Sequence, residues 1–512
     1  MNESAHFSHL PGLEVLPSAT GPTPPPPGRP RFKAVDRSQQ VWGMVDVERL
    51  IEEDHPARAI WAMTGQVDLK AFYAPIKAVE GGAGRTPWDP QMLTSLWIYA
   101  YSRGISSARE IARRCVWEPA FQWLSGLEEI NHHTLSDFRT AHPQALTQMF
   151  SEVLGVLSAQ GLVSLERVMH DGTKIKAFAS ADSFRREGSL SEHLEAARQQ
   201  VQALSQDTSD ETPRQTAARA RAARERQQRV QEALEQLHQI QETKSGPKEK
   251  EAVRASLTDP EARVMKQPDG GYAPSYNVQI STEASHKIIV GAALSQSGVD
   301  YPELIPAVLR VEETTGTKPA QMVVDGGFTS RANVLAADAE GVDLVGSLID
   351  KEATNANPDP EFRIEAFKYD AATDSYQCPA GHRLQAAAQS EGRPGIIQYQ
   401  YRASKALCEA CPLKARCCPK SLPRTLNVAE EVPVVRQFRE KMQTPEAREI
   451  YRQRAPVAEF PNAWIKDKLG LRQFRLRGLV KARLETLWAA LTYNIQQWIR
   501  LSWRPSLAGA QK

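Results

Sequence analysis

The chain has no run of eighteen or more apolar residues, so no membrane-spanning helix is expected. It opens MNESAHFSHLPGLEVLPSATGPTPPPPGRP, without a basic start followed by an apolar core, and no secretory signal is expected either. Cysteine is scarce, with six in 512 residues, and four of these crowd between Cys408 and Cys418. That is no disulfide framework; it points to metal binding in a reducing cytoplasm. An excess of one charge is missing too. A formal net charge of +2 gives no global attraction to nucleic acid, so any basic surface must be local. Neither a phosphate-binding glycine loop nor a nucleophile-elbow serine occurs. What is present is 41% hydrophobic residues, enough for real cores, in a length that suggests about two to four domains.

Residues 1–37 read as a disordered arm, with a Pro-rich run from Pro22 to Pro30. Residues 38–160 carry helical periodicity. Asp89-Pro90 starts one helix and Gly104 ends it; Ser106 and Ser107 open the next. Thr134 or Ser136 caps a further helix bearing Phe138, Phe150, Val153 and Leu157. Such a domain either binds DNA or is simply helical; periodicity alone does not choose.

Residues 161–350 change character. Leu165 to Asp171 is a short apolar run ending in Asp-Gly, a strand with Asp171 at its end. Residues 187–245 are rich in Glu, Arg, Gln and Ala. Leu194, Ala197, Val201 and Leu204, then Ala223, Gln227, Val230, Leu234 and Leu237, keep helical spacing on either side of a breaker at Asp207–Pro213. This is an antiparallel helical hairpin with narrow apolar stripes, a solvated spacer or a DNA clamp. Tyr276–Ser281 and Lys287–Leu294 then alternate with period two and form a β-hairpin. A second apolar run, Ala320–Asp325, ends again in Asp-Gly, followed by a helix over Ser330–Glu340 and a strand over Asp343–Leu348. Residues 351–440 hold the cysteines, and residues 441–505 are helical, beginning at Thr444-Pro445.

Two strands that each stop in Asp-Gly, if adjacent, hold two carboxylates within bridging distance of one hard divalent cation. Taken singly, each Asp is as well read as a turn residue. A third carboxylate on a nearby helix would complete a two-metal phosphoryl-transfer site. After it, Arg472, Arg475, Arg477, Lys481 and Arg483 form a local basic cluster suited to phosphate backbone, or a solvated charged helix. Separately, Cys378, Cys408, Cys411 and Cys417 have spacing suited to a structural Zn²⁺ site, with Cys418 or His382 able to replace one ligand. The alternative is a set of reduced cysteines without metal. Cys115, among helices, reads as core.

The third carboxylate comes with a resemblance. Tyr451, Arg454, Glu459 and Lys466 resemble the signature around the catalytic Glu of bacterial insertion-sequence transposases of the DDE type, though the Arg454-to-Glu459 interval is one residue longer than the usual form. His170-Asp171-Gly172-Thr173 resembles the family's first Asp motif, and Val324-Asp325-Gly326-Gly327-Phe328 its second. Asp259–Arg263 with Tyr276-Asn277-Val278-Gln279 resembles the segment leading into the hairpin. Gly84–Pro90, Gly104–Arg109 and His133–Arg139 resemble its helical domain, so the likeness spans roughly residues 38–500.

The resemblance implies a multidomain protein: an N-terminal helical domain, then an RNase-H-like mixed-sheet core with a helical-hairpin insertion and a Cys-rich insertion. It implies Mg²⁺ or Mn²⁺ held by Asp171, Asp325 and Glu459, cleavage at transposon ends and strand transfer into target DNA. Tyr451, Arg454, Lys466, Arg472, Arg475 and Arg477 would contact DNA. Terminal inverted repeats and target DNA would be the partners, a homodimer would form the synaptic complex, and the protein would work in the cytoplasm at the nucleoid. Two rivals are a nuclease of the same fold without strand transfer and a non-catalytic, domesticated DNA-binding protein.

Overall fold

The computed structural model describes residues 44–78, 86–206, 212–348, 359–419 and 422–504. The Pro-rich arm, Gly84-Arg85 and most of the expected breaker, residues 207–211, lie outside the described residues.

The first helices form where local chemistry permits. Helix α1 (Pro90–Ser102) starts at Asp89, whose carboxylate accepts the Gln91 N–H at 2.9 Å, with Pro90 in the first turn where no N–H is needed. Ser107 caps Ala108–Trp117 in the same way. The next expectation is corrected. Phe138 and Phe150 belong to two helices, His132–Ala141 and Pro143–Ala159, and the first is capped by Asn131 rather than Thr134 or Ser136. Pro143 lacks the N–H that would continue the first helix, and its ring bars helical torsions at His142, which sits at φ −124°, ψ 59°.

The central sheet has six strands: β1 (Arg167–Lys176), β2 (Arg263–Lys266), β3 (Tyr272–Glu283), β4 (Ile289–Ser295), β5 (Gln321–Val323) and β6 (Asp343–Val345). Their order is β2-β3-β1-β5-β6, with β4 also on β3. β3 is antiparallel to β1, whereas β5 runs parallel to β1, and β6 parallel to β5. β4 starts at Ile289, because Lys287 takes the turn with φ 62°. β3 is buried on both faces, which is why it reads as strand throughout yet alternates only weakly.

β1 departs from expectation. It does not end at Asp171 but continues through Gly172 to Lys176, paired along its length with β3. Gly172 is there for close approach, not for a turn: a Cβ would meet Asp300 Oδ1 and Gln279 Nε2, each at 2.6 Å.

Helix α2 (Arg454–Asp467) covers one face of β1. Helix α3 (Leu479–Trp498) packs on β4 and on the N-terminal helices, with Trp488 stacked against Tyr101 and donating to the Arg139 carbonyl at 3.2 Å. Asp259 and Glu261 accept the Gly478 and Leu479 N–H groups at the start of α3, where negative charge is favoured. At its other end Asn494 pairs with both the N–H and C=O of Ile289, sealing an open strand edge. One core therefore runs from Ala57 to Ile499. Val47–Lys512 forms one unit; of the other, Met1–Asp46, only residues 44–46 are described.

Helices Glu187–Ser205 and Pro213–Glu242 pair through a narrow stripe that includes Leu190, Ala233 and Leu237. The cysteine-bearing segment contains a second, five-stranded antiparallel sheet over Lys368–Asp370, Ser375–Gln377, Arg383–Arg393, Ile396–Ala403 and Thr425–Glu431. It has its own core of Phe362, Phe367, Leu384, Tyr401, Leu426, Cys408 and Cys417. Among the described residues no helix is long and apolar enough to cross a membrane.

Candidate active site on the central sheet

The site begins with strand register. Met169 of β1 pairs with Val323 of β5 in parallel, and both pack against Val457 and Ala458 of α2. Two residues beyond that last pair come Asp171 on β1 and, just past the end of β5, Asp325, near enough for its charge to act on Asp171. Asp325 is just past the β5 ladder, where its Oδ1 accepts the Gly327 N–H at 2.8 Å and its C=O accepts the Thr329 hydroxyl at 2.8 Å.

Helix α2 lays an i, i+4 stripe over β1: Arg454, Ala458, Asn462 and Lys466. Asn462 Nδ2 donates to Asp171 Oδ2 at 3.2 Å, and Arg454 Nη1 stands 3.9 Å from Asp171 Oδ1. Lys466 Nζ donates to Thr173 Oγ1. Glu459 lies beside this stripe, one turn before Asn462, with an exposed side chain. Among the described residues no three His, Cys, Asp or Glu side chains are gathered closely enough to hold a metal ion.

Burial pushes the Asp171 carboxyl up to about 6; Arg454 opposes the shift and the Asp325 charge adds to it. Burial likewise pulls the Lys466 ammonium below its ordinary value. Two polar atoms beside Asp171 are buried without a hydrogen-bond partner, Arg454 Nη1 and Asn462 Oδ1. The first is a donor and the second an acceptor.

The opposite face of β1 is a polar lattice. Asp300 accepts from Lys174, Asn277 and Gln279. Since Gln279 gives its amide N–H to Asp300, its carbonyl takes the His170 Nε2–H at 2.8 Å, and His170 Nδ1 accepts from Ser281 at 2.9 Å. His170 is fully buried and pushed down to about 4 by burial, so it is neutral. The lattice braces β1 directly behind Asp171.

The other expected site residues distribute as follows. Tyr451 packs at the edge of the Met169–Val323–Val457 cluster. Arg472, Arg475 and Arg477 are exposed on the loop after α2, which joins the end of β1 through Lys176 N–H to the Arg472 carbonyl and Phe474 N–H to the Lys176 carbonyl. Arg472 pairs with Asp467, and Arg477 lies 4.7 Å over the Phe178 ring. Cys378, His382, Cys408, Cys411, Cys417 and Cys418 all line one small pocket of about 20 Å³. Cys115 is core. Asn462 and Asp300 were missed in the sequence. Asn462 had a signal, the single uncharged polar side chain on the inward stripe of α2; Asp300, in a loop, had none.

Two family models match the chain: a transposase domain, DUF772, over residues 45–141, and a transposase DDE domain over residues 377–499. Both matches are transposase domains, and together they support an insertion-sequence transposase of the DDE type. Its function is DNA transposition. The DDE-domain match contains Glu459, while Asp171 and Asp325 lie outside both matched stretches. No curated protein matches. Among solved structures, a piggyBac transposase synaptic complex with hairpin DNA aligns over 89% of this chain and 75% of that one, at 10% identity and a TM-score of 0.30, too slight a likeness to carry an argument.

Proposed function

We propose that the central sheet is an RNase-H-like catalytic core in which Asp171, Asp325 and Glu459 hold Mg²⁺ or Mn²⁺. The observation that supports this is the parallel pairing of β1 with β5, which ends at Met169–Val323, two residues before Asp171 and Asp325, with the helix that bears Glu459 packed on β1. What supports an ion there is a pair of carboxylates, one of them pushed up by burial, beside a buried amide oxygen that has no hydrogen-bond partner. A divalent cation bound there supplies activation of water and neutralisation of charge developing on phosphate. Arg454 and Lys466 bind phosphate oxygens, and Arg472, Arg475 and Arg477 hold the DNA backbone leading away from the site. The chemistry is hydrolysis of a phosphodiester at the transposon end, freeing a 3′-hydroxyl, and attack of that hydroxyl on a target phosphodiester with release of a new target 3′-hydroxyl. The protein forms no covalent bond to DNA.

Residues 38–160 recognise the terminal repeats, the hairpin at 187–245 is a spacer or clamp, and synapsis of two ends calls for a dimer. The cysteine pocket is a structural Zn²⁺ site of Cys378, Cys408, Cys411 and Cys417, a reading supported by six potential ligands lining that pocket. The test is a labelled transposon end incubated with target DNA and Mg²⁺. Wild-type protein nicks the end and joins it to target; Asp171→Ala, Asp325→Ala and Glu459→Ala each do neither while still shifting the end in a gel. Strand joining that survives all three substitutions refutes the reading.

A further inference from the structure

Asn462 matches no expected site residue, yet it is the α2 side chain that meets Asp171 most directly. It is 93% buried, being 7% exposed, and its Oδ1 has no partner. A buried acceptor without a hydrogen bond is costly and calls for an explanation; beside a buried carboxylate, a shared cation supplies one. We infer that Asn462 is an oxygen ligand of the divalent-cation site, its carbonyl oxygen sharing the ion with Asp171; this rests on the carboxylate-site reading above.

The geometry supports it. The Asn462 amide atom and Asp171 Oδ2 are 3.2 Å apart. Adjacent ligands of an octahedral Mg²⁺ at about 2.1 Å stand about 3.0 Å apart. Facing a bare carboxylate the amide turns its N–H₂ inward. With a cation between them the same side chain turns by half a rotation about its soft terminal torsion and offers Oδ1 at the same spacing. Arg454 Nη1, 3.9 Å from the opposite oxygen of Asp171 and without a hydrogen bond, can turn to a phosphate oxygen. One cation and one phosphate would thus engage both atoms, with the Asn462 N–H₂ moving into the space that Oδ1 leaves.

The probe is Mn²⁺ alone, titrated calorimetrically into the full chain stripped with EDTA, without DNA. Asn462→Ala is expected to weaken binding at least about tenfold. Asn462→Asp, equal in size, is expected to bind Mn²⁺ at least as tightly as wild type. In EDTA it melts below wild type, because two carboxylates then face each other, and Mn²⁺ restores it. A merely structural amide, needed as a donor to Asp171, predicts instead that Asn462→Asp is destabilised and that Mn²⁺ does not recover it. That result, or wild-type affinity in Asn462→Ala, overturns the inference. Asp171→Ala separates the levels: if it abolishes binding while Asn462→Ala does not, only Asn462 loses its role. If Asp171→Ala binds Mn²⁺ like wild type, the carboxylate site itself falls and Asn462 falls with it.

Discussion

Replacing Asp171 with Asn should make the metal-free protein more stable while removing its activity. The carboxyl is pushed from an ordinary 3.8 up to about 6, chiefly by burial. The raised value means that ionising Asp171 is harder in the folded chain than in the unfolded one. Below pH 4 the group is protonated in both states and contributes nothing. Between pH 4 and 6 the folded state keeps its proton while the unfolded state loses it, so stability falls as pH rises, and above about 6 the full penalty stands. The interval corresponds to about 3 kcal/mol as an upper bound. Arg454, at 15% exposure, loses its counter-charge in the variant, so a gain of roughly 1–2 kcal/mol is the expected net. The new amide can also offer an N–H to the orphaned Asn462 Oδ1. Thermal melts in EDTA should therefore find Asp171→Asn a few degrees above wild type at pH 7.5 and level with it near pH 4. Adding 10 mM Mg²⁺, about a hundred times a plausible Kd, should reverse the order by stabilising wild type alone, by about 2.7 kcal/mol. A variant that melts below wild type in EDTA at pH 7.5, or a difference that does not change with pH, refutes the account of Asp171 as a buried carboxylate awaiting a cation.

Four further outcomes follow from the same geometry. Glu459→Gln and Asp325→Asn should lower end cleavage by at least about a thousandfold, read by single-turnover nicking, with gel-shift affinity for the end unchanged. Gly172→Ala should destabilise by about 1–3 kcal/mol in chemical denaturation, since its methyl enters the space of Asp300 and Gln279; Gly188→Ala, in a helix with nothing within 4 Å, should be neutral to slightly stabilising. Arg475→Ala and Arg477→Ala should weaken DNA binding without regard to sequence, each reducing the slope of log K against log salt by about 0.9. Purified protein should contain one zinc by metal analysis, and Cys408→Ser should lose it together with protection of Leu384, Tyr401 and Leu426 from hydrogen exchange.

Much of this was legible along the chain because it is local. Asp89-Pro90 and Thr444-Pro445 state their helix starts in the residues themselves, and both caps form as read. The spacing of Leu194, Ala197, Val230 and Leu237 dictates two helices with narrow apolar stripes, and the three acidic motifs stand in an order that gives their class. Asp171 and Asp325 were legible as strand-borne carboxylates. The pairing of their strands was not, since parallel register depends on how β5 docks against β1 from 154 residues away, the separation of the Arg167–Gln321 pair.

Long-range contact decided the rest. An Asp-Gly pair looks like a strand end, but here the glycine exists to admit Asp300, so β1 runs on and Asp171 sits in mid-strand. Asn462 acquires meaning only because α2 lies across β1 and brings it to Asp171 over a separation of 291 residues. Burial, which moves the Asp171 proton and leaves two polar atoms without hydrogen-bond partners, is a property of the packed molecule. Composition and periodicity set which residues are available for a site. Which of them share a dry, low-dielectric space, and so which chemistry they can do together, depends on packing between elements that the chain's own spacing does not encode.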